Sequence, residues 1–525
     1  MSTPTKPEKD LIWAIPLAIG VAGWWSWTHL GHTETIAIGV GLVVLLVVVG
    51  WVAAGKKGHK SRGGHGMSRV EISREMGELN LRVRAKQTRP DLSGRKPVLH
   101  DLGIRLGRDV ETKRDIWASH EDSILVIGPP RSGKTAALVV PTLRQFSGAL
   151  VATSTRPELV KLTSEWVSKR GHCWAFAPHD PTGVSTVAGD ITPLRWNPAQ
   201  GCEEPLVAIT RAQALVVAGS GMGASVTNSD FWAGSASSIM RCYLHAAALD
   251  HRPITDVLAW SSSPTHPTPI AILRAHPDAA PGWADELEMA GSGDARLAAN
   301  LWAGVQRALD SLRNPVVAQA CSPDEDDLWT PDQLLDGGGG IYLWGDPSSQ
   351  LSVAPLLSAM VQAIVDGARR RAGESESGRL APPLGIFLDE AANIAPLPNL
   401  PSLLSDAGGT GIHLEVILQS LAQARHRWGE AQASAMLDAS TIKLILPGLS
   451  QADDLSIFSR LAGEQEIETK SSTSASQGGS ETVSSTWRPR WSPDAIRGLR
   501  QWHALIMHRR VAPVEIEMRP YWEQD

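Results

Sequence analysis

The chain begins with two uninterrupted apolar runs and later alternates between short β-branched runs and amphipathic stretches. The opening runs cover residues 11–30 and 36–54, and neither contains Asp, Glu, Lys or Arg. A helix of about 19 residues rises about 28 Å, close to the hydrocarbon thickness of a bilayer. A second run follows the first at once, which favours a retained transmembrane hairpin over a cleaved secretory signal. A buried hairpin of a soluble domain is the weaker alternative, because soluble helices seldom lack a polar face.

The charges around this hairpin predict its orientation. Lys6 and Lys9 precede it, Lys56 and Lys57 follow it, and the turn at 31–35 has no Lys or Arg. The positive-inside rule therefore places a short N-terminal tail and everything after residue 55 in the cytoplasm. We interpret residues 1–10 as the tail and 11–54 as the hairpin.

A basic segment follows the hairpin. Residues 56–114 contain 16 Lys and Arg against 7 Asp and Glu, although the whole chain has a net charge of −6. We interpret 55–114 as a juxtamembrane stem. It could attract anionic lipid headgroups or guide a polyanion towards the membrane, and a solvated, partly helical stem explains it equally well.

The clearest chemical motif is a glycine-rich loop after an apolar run at 123–127. The loop has the pattern GxxxxGK[ST] between a predicted strand and a predicted helix, as a phosphate-binding loop requires. Lys134 would reach the β- and γ-phosphates, and the Thr135 hydroxyl would ligate Mg²⁺. The predicted phosphate-binding residues are Gly128, Pro129, Pro130, Arg131, Ser132, Gly133, Lys134 and Thr135.

Strands and helices continue to alternate after the loop. Apolar runs at 149–153 and 172–177 flank a helical pattern at 157–170, which predicts a parallel sheet covered on both faces. Between 203 and 335 the strand signals disappear and helical spacing dominates, before a strand returns at 340–344. The polar stretch 470–485 is typical of a mobile loop. A closing strand is predicted at 504–507.

A second motif lies far along the chain. An apolar run at 383–388 ends in Asp389 and Glu390. In a nucleotide site, Asp389 would hold the Mg²⁺ shell and Glu390 would orient or activate the attacking water. Gln419 ends the next apolar run, where it could sense the γ-phosphate or only cap the strand.

Composition excludes several other classes. Cys173, Cys202, Cys242 and Cys321 are widely spaced, which excludes a disulfide scaffold and a zinc ribbon and fits a reducing compartment. The sequence has no base-reading motif and no pattern of hydrolase chemistry other than ATP hydrolysis.

The block at 388–429, LDEAANIAPLPNLPSLLSDAGGTGIHLEVILQSLAQARHRWG, resembles the signature block of the type IV coupling proteins, the TraG/TraD-like ATPases of conjugative DNA transfer. Further similar segments occur in the expected order over nearly the whole chain: GPPRSGKT at 128–135, TSTRPEL at 153–159, RWNP at 195–198, DFW at 230–232 and RLAGEQ at 460–465.

This resemblance implies an α/β fold: a RecA-like P-loop NTPase with an inserted all-α domain and an N-terminal two-helix transmembrane anchor. The motor would comprise 115–202 and 336–525, and the insertion 203–335. The cofactors would be ATP and Mg²⁺, and the protein would be a multi-pass bacterial inner-membrane protein, assembled as a hexamer. Its partners would be single-stranded DNA with an attached relaxase and the type IV secretion channel. Lys134, Asp389, Glu390 and Gln419 would be the catalytic residues.

One departure from the family concerns arginine. Relatives often carry arginines in the turn after the acidic block, but here residues 407–411 read AGGTG. Arg425 and Arg427 are the nearest candidates for an arginine that acts on a neighbouring subunit, and a charged surface helix explains them equally well. The resemblance implies a motor that uses ATP to pump single-stranded DNA to the secretion channel. Two alternatives stay open: a receptor ATPase for protein substrates, and, prompted by the missing arginine, a membrane adaptor with weak ATPase activity.

Overall fold

The computed structural model describes residues 74–220, 229–473, 480–509 and 511–524. The predicted N-terminal tail, the transmembrane hairpin and the first part of the basic stem lie outside these ranges.

The described chain alternates between strands and helices, with one long helical stretch in the middle. The strands are β1 (Gly103–Asp109), β2 (Asp115–Ser119), β3 (Ile124–Ile127), β4 (Leu150–Ser154), β5 (Cys173–Phe176), β6 (Thr192–Pro193), β7 (Gly340–Trp344), β8 (Leu384–Leu388), β9 (Ile412–Leu418), β10 (Ile442–Ile445), β11 (Glu464–Thr473), β12 (Ser480–Pro489), β13 (His503–His508) and β14 (Val511–Glu517). The helices are α1 (Glu78–Thr88), α2 (Val140–Gln145), α3 (Glu158–Ser168), α4 (Pro181–Val187), α5 (Pro205–Gly219), α6 (Ser229–Leu249), α7 (Ile254–Trp260), α8 (Pro267–Ala275), α9 (Trp283–Ser292), α10 (Ala295–Leu309), α11 (Pro315–Ala320), α12 (Pro331–Gly337), α13 (Gln350–Glu374), α14 (Ala391–Ile394), α15 (Leu400–Asp406), α16 (Leu421–Trp428), α17 (Glu430–Ala439), α18 (Ala452–Leu461) and α19 (Pro493–Arg497).

Twelve of the strands form one sheet in the order β2-β1-β14-β13-β10-β3-β9-β8-β4-β7-β5-β6. The strands from β10 to β6 in this order are parallel, as predicted. The other four strands pair antiparallel and close one side of the sheet. The sheet is therefore mixed, which the prediction of a parallel sheet did not include. Its β1 strand lies inside the segment interpreted as a stem, so the folded sheet begins before residue 115.

Alternating residues of each central strand enter two separate cores. Leu125 and Ile127 of β3 face a core shared with the helices of the 205–374 stretch. Ile124 and Val126 face the other core, with Leu143 of the helix that follows the phosphate loop. Both faces are thus covered, which explains why the central strands are continuous apolar runs.

The described residues between β6 and β7 form helices joined by turns and loops, with no strand among them. Within this stretch α5 packs against α6 and also against α13, the long helix that follows β7, and these helices share one apolar core with the central strands. Within the described ranges, α13 is the one helix long and apolar enough to cross a membrane, and 83% of its apolar window is buried inside the protein. That burial identifies it as a core helix.

The described residues of the polar stretch predicted as a mobile loop, 470–473 and 480–485, lie in two paired strands. β11 and β12 pair antiparallel from Glu464 opposite Pro489 to Thr473 opposite Ser480. The prediction of a loop was wrong for 470–473 and 480–485 because it treated low hydrophobicity as the absence of structure, and residues 474–479 lie outside the described ranges. A pair of strands needs only backbone hydrogen-bond partners and residues that favour the extended conformation. The β-branched residues Thr and Val have that preference here.

Candidate functional site

The phosphate loop lies where the fold predicts it, at the carboxyl end of β3. All four β3 residues are buried, which fixes the strand in the middle of the sheet. The chain then turns through residues 128–134 into a π-helical turn, Thr135–Val139, which continues as α2. Pro141 has no N–H to donate to the preceding turn, and this accounts for the widened first turn of the helix.

The conformation of the loop requires glycine at two positions. Gly133 has φ +89°, a left-handed conformation that residues with a Cβ rarely adopt. A Cβ on Gly128 would lie 2.6 Å from Leu446 Cδ1 and 2.8 Å from Ser132 Oγ. Arg131 is also left-handed, with φ +65°, so the backbone is turned back on itself at the tip of the loop.

The acidic pair follows β8 at the same edge of the sheet. Thr153 of the neighbouring β4 donates from Oγ1 to the carbonyl oxygen of Asp389 at 2.8 Å. Glu390 has φ +55°, and this left-handed residue redirects the chain from the strand into α14. The hydrogen bond from Thr153 and the turn at Glu390 thus hold the acidic pair in a fixed orientation relative to the sheet.

The two sequence motifs line one cleft of about 630 Å³. Its lining includes Lys134, Thr135, Asp389 and Glu390, together with Pro130, Arg131 and Gly133. The lining does not include Gly128, Pro129 or Ser132. Gly128 instead shapes the loop, because it packs closely against Leu446 and Ser132. The sequence motifs, which lie more than 250 residues apart, are therefore brought together as predicted.

Burial dominates the electrostatics of the cleft. Lys134 and Asp389 each have only 8% of their surface exposed. The pKa of Asp389 is raised to about 6, and burial is the largest cause. The Lys134 ammonium lowers this pKa, whereas the Glu390 carboxylate raises it. Asp389 Oδ1 is buried and has no hydrogen-bond partner among the described residues. A hard carboxylate oxygen beside a threonine hydroxyl is the donor set that Mg²⁺ prefers, so these residues fit that ion.

Gln419 is linked to the acidic pair through other residues. Its backbone N–H donates to Gln423 Oε1 at 3.0 Å, and Gln423 Nε2 donates to Asn393 Oδ1 at 3.3 Å. Asn393 Nδ2 lies 3.5 Å from Glu390 Oε2. The Gln419 side chain is not among those lining the cleft. Its role as a sensor stays a prediction.

The cleft also contains residues that the sequence reasoning did not select. Arg156, within the segment TSTRPEL, is exposed and lines the same cleft as the acidic pair. Ser154 Oγ holds this turn by donating to the Arg156 carbonyl at 2.7 Å and accepting from its N–H at 3.1 Å. Tyr521 and Trp522 line the cleft from the C-terminal end of the chain. The position of Arg156 directly after a strand was the available signal for it.

The two arginines considered for action on a neighbouring subunit are both engaged within the chain. Arg425 Nη2 donates to Asp454 Oδ1 at 2.7 Å, and Asp454 is fully buried. Arg427 donates to backbone carbonyl oxygens at the end of α5. Both arginines therefore have structural contacts within this chain, and neither is simply a solvated charge on a surface helix.

Two family models match the chain. Residues 70–277 match "Type IV secretory system Conjugative DNA transfer", and residues 383–501 match "TraM recognition site of TraD and TraG". The first match includes the phosphate loop, and the second includes Asp389 and Glu390. No curated protein matches the chain.

Solved structures of the bacterial conjugative coupling protein TrwB share the fold. The unbound form is 16% identical with a TM-score of 0.60, covering 87% of this chain and 94% of that one. TrwB in complex with ADP and Mg²⁺ is 16% identical with a TM-score of 0.57, covering 87% and 94%. TrwB with a non-hydrolysable GTP analogue is 14% identical with a TM-score of 0.58, covering 88% and 97%. The α/β fold with a large parallel sheet, expected from the sequence, is thereby confirmed.

Proposed function

This chain belongs to the type IV coupling proteins, and from that premise we propose that it is an ATP-hydrolysing membrane protein that couples a relaxase–DNA complex to a type IV secretion channel. The observation that carries the proposal is the single cleft where Lys134 and Thr135 face Asp389 and Glu390. Family membership supports the role in conjugative transfer, and the TrwB complexes with nucleotides support ATP as the ligand.

Each motif residue has a task that follows from its position. Lys134 binds the β- and γ-phosphates as a point charge, and the backbone of residues 128–135 surrounds them. Thr135 and Asp389 would hold Mg²⁺, which when bound supplies charge neutralisation at the transferring phosphoryl group. Glu390 orients the attacking water and accepts its proton. The link through Asn393 and Gln423 keeps the Glu390 carboxylate in position.

We assign Arg156 the role of the positive charge that the turn at 407–411 lacks. Its guanidinium forms no salt bridge in the described part of the chain, and Arg156 lines the same cleft as Asp389. An arginine already aligned with the developing charge on the γ-phosphate lowers the barrier most. Gln419, at the end of β9 between the two motif strands, would report the presence of that phosphate.

The remaining predicted features complete the proposal. The hairpin 11–54 would anchor the protein as a multi-pass inner-membrane protein, and the motor at 115–202 and 336–525 would assemble as a hexamer with the helical stretch 203–335 facing the cargo. The partners would be single-stranded DNA with relaxase, together with channel components. The match to a TraM recognition site supports contact with a protein of the relaxosome.

The test compares the full-length protein with Lys134→Ala in a membrane mimetic and in conjugation. We expect the wild type to hydrolyse ATP faster when single-stranded DNA is added, and Lys134→Ala to lose both ATPase activity and DNA transfer while still inserting into the membrane. Lys169→Ala is the control, because Lys169, the residue that follows α3, has a side chain 61% exposed and lies outside the cleft.

The outcomes separate the alternatives. ATPase activity that responds to a secreted protein and not to DNA would favour the receptor for protein substrates. Normal transfer by Lys134→Ala would overturn the motor and leave the adaptor.

A further inference from the structure

The order of strands at the carboxyl edge of the sheet gives a bound nucleotide a direction. The strands that carry the acidic pair and Arg156, β8 and β4, lie on one side of β3, and β10, β13 and β14 lie on the other side. The γ-phosphate must point towards the acidic pair if those residues are to hold the metal and the water. The nucleoside must therefore leave the loop towards β13 and β14.

An aromatic cluster occupies that second side. Trp502 immediately precedes β13, whose Leu505 pairs with Ile445, itself the partner of Ile127. This register places Trp502 at the edge where the phosphate loop begins. The contact with the loop is close, because a Cβ on Gly133 would lie 2.7 Å from Trp502 Cζ3.

Two further aromatic rings extend from Trp502. The Trp502 and Trp522 ring centroids are 5.6 Å apart with their planes at 83°. Tyr521 and Trp522 are 5.0 Å apart at 79°. Such near-perpendicular pairs are a favourable arrangement of aromatic quadrupoles. The cluster is therefore a connected unit from the phosphate loop to the end of the chain.

The base of this unit is fixed to the helix that follows the loop. The Arg144 guanidinium carbon lies 4.9 Å from the Tyr521 ring centroid. Arg144 is itself held, because its Nε and Nη2 atoms donate to the Leu162 carbonyl oxygen at 3.0 and 2.9 Å. Tyr521 is consequently positioned before any ligand binds, which reduces the ordering entropy that binding would cost.

The outer member of the cluster is exposed inside the cleft. Trp522 has 57% of its surface exposed and lines the cleft together with Tyr521. Val140, Leu159 and Leu162 contribute apolar side chains to the lining of the same cleft. An exposed indole on a rigid support in a partly apolar cleft offers a flat surface for a planar ligand.

We propose that Trp522, supported by Trp502 and Tyr521, is the stacking platform for the base of the nucleotide whose phosphates bind the loop at 128–135. This inference rests on the proposed nucleotide site and adds where its base binds. Stacking on an indole uses the π-face that every base has, so ATP and GTP should bind with similar affinity.

The experiment separates the base from the phosphates. Calorimetry on the full-length protein in detergent measures the Kd of MgATP, MgGTP and magnesium tripolyphosphate for the wild type, Trp522→Ala and Trp522→Phe. In Trp522→Ala we expect the Kd of both nucleotides to rise about 5- to 100-fold, while the Kd of tripolyphosphate changes less than about twofold. Trp522→Phe should recover most of the nucleotide affinity.

The matched control is Trp487→Ala, because Trp487 is 49% exposed on β12 and lies outside the cleft. Unchanged nucleotide affinity in Trp522→Ala would overturn the platform. Equal losses for nucleotide and tripolyphosphate would also overturn it, because they would show that Trp522 supports the phosphate loop and not the base. If the wild type bound none of the three ligands, the nucleotide site itself would be refuted. That outcome is distinguishable from a failure of the platform alone.

Discussion

Arg427 donates from Nη2 to the carbonyl oxygen of Ala218 at 2.7 Å, across 209 positions of the sequence. Its Nη1 donates to the Ser220 carbonyl oxygen at 3.0 Å. The last carbonyl groups of α5 have no partner inside their helix, and the guanidinium supplies one. The positive charge also lies at the negative end of that helix. Arg427 thus joins the sheet side of the protein to the helical stretch.

Removing this guanidinium should destabilise the protein. We expect Arg427→Ala to lower the free energy of unfolding by about 2 kcal/mol, because buried carbonyl oxygens lose charged hydrogen bonds. Thermal melting of the full-length protein measures the loss. Arg252→Ala is the control, since Arg252 is an exposed arginine in an exposed ion pair with Asp250. A melting temperature equal to that of the control would contradict the capping role, whereas unchanged stability with lost ATPase activity would restore the catalytic one.

Arg156 should affect catalysis and not stability. We expect Arg156→Ala to lower kcat for ATP hydrolysis about 10- to 1000-fold, because the charge stabilises the transition state more than the bound substrate. Steady-state kinetics separate kcat from KM, and Arg156→Lys should recover part of the rate. If Arg156→Ala hydrolyses ATP at the wild-type rate, the arginine must come from another subunit.

Glu390 should be needed for hydrolysis but not for binding. The test is Glu390→Gln, which keeps the shape of the side chain but cannot accept a proton from water. We expect kcat to fall about 100-fold or more while the Kd of MgATP stays within about threefold. Asp389→Asn provides the contrast, because it should weaken magnesium-dependent binding. Loss of binding in both variants would mean that Glu390 also holds the metal.

Local patterns were sufficient to predict the centre of this fold. Residues 123–127 and 383–388 are apolar runs that each end in a chemical motif, and the structure has β3 and β8 there. Parallel strands bring their carboxyl ends to one edge, so the meeting of Lys134 with Asp389 could also be expected. This rule on parallel strands applies without any knowledge of which residues are in contact across the fold.

The antiparallel side and the aromatic cluster could not be predicted in this way. β1 contains Arg105 and Arg108 within seven residues and falls inside a basic segment, so no continuous apolar run marks it as a strand. Trp522 lies close to the phosphate loop only because β13 and β14 return the chain to that edge. Its contact with Trp502 is a tertiary one, and neither residue has a local pattern that marks a ligand.

A buried carboxyl group in the middle of the sheet makes stability depend on pH. Glu415 of β9 pairs with Ile124 and Phe387 on the adjacent strands, and it is fully buried. Neither of its carboxyl oxygens has a hydrogen-bond partner among the described residues. Burial, and secondarily the nearby Asp389 carboxylate, raise the pKa of Glu415 from 4.5 to about 8.

Because the pKa is raised on folding, the folded protein holds this proton more tightly than the unfolded chain. The resulting stabilisation is complete below about pH 4.5 and is lost as the pH rises towards 8. We expect Glu415→Gln, which cannot ionise, to melt within about 2 °C of the wild type at pH 5 and several degrees above it at pH 9. Glu165→Gln, on an exposed glutamate of α3, should melt like the wild type at both pH values. Parallel melting curves for Glu415→Gln and the wild type from pH 5 to 9 would show that this carboxyl group does not titrate with folding, because the difference between them must grow with pH if it does.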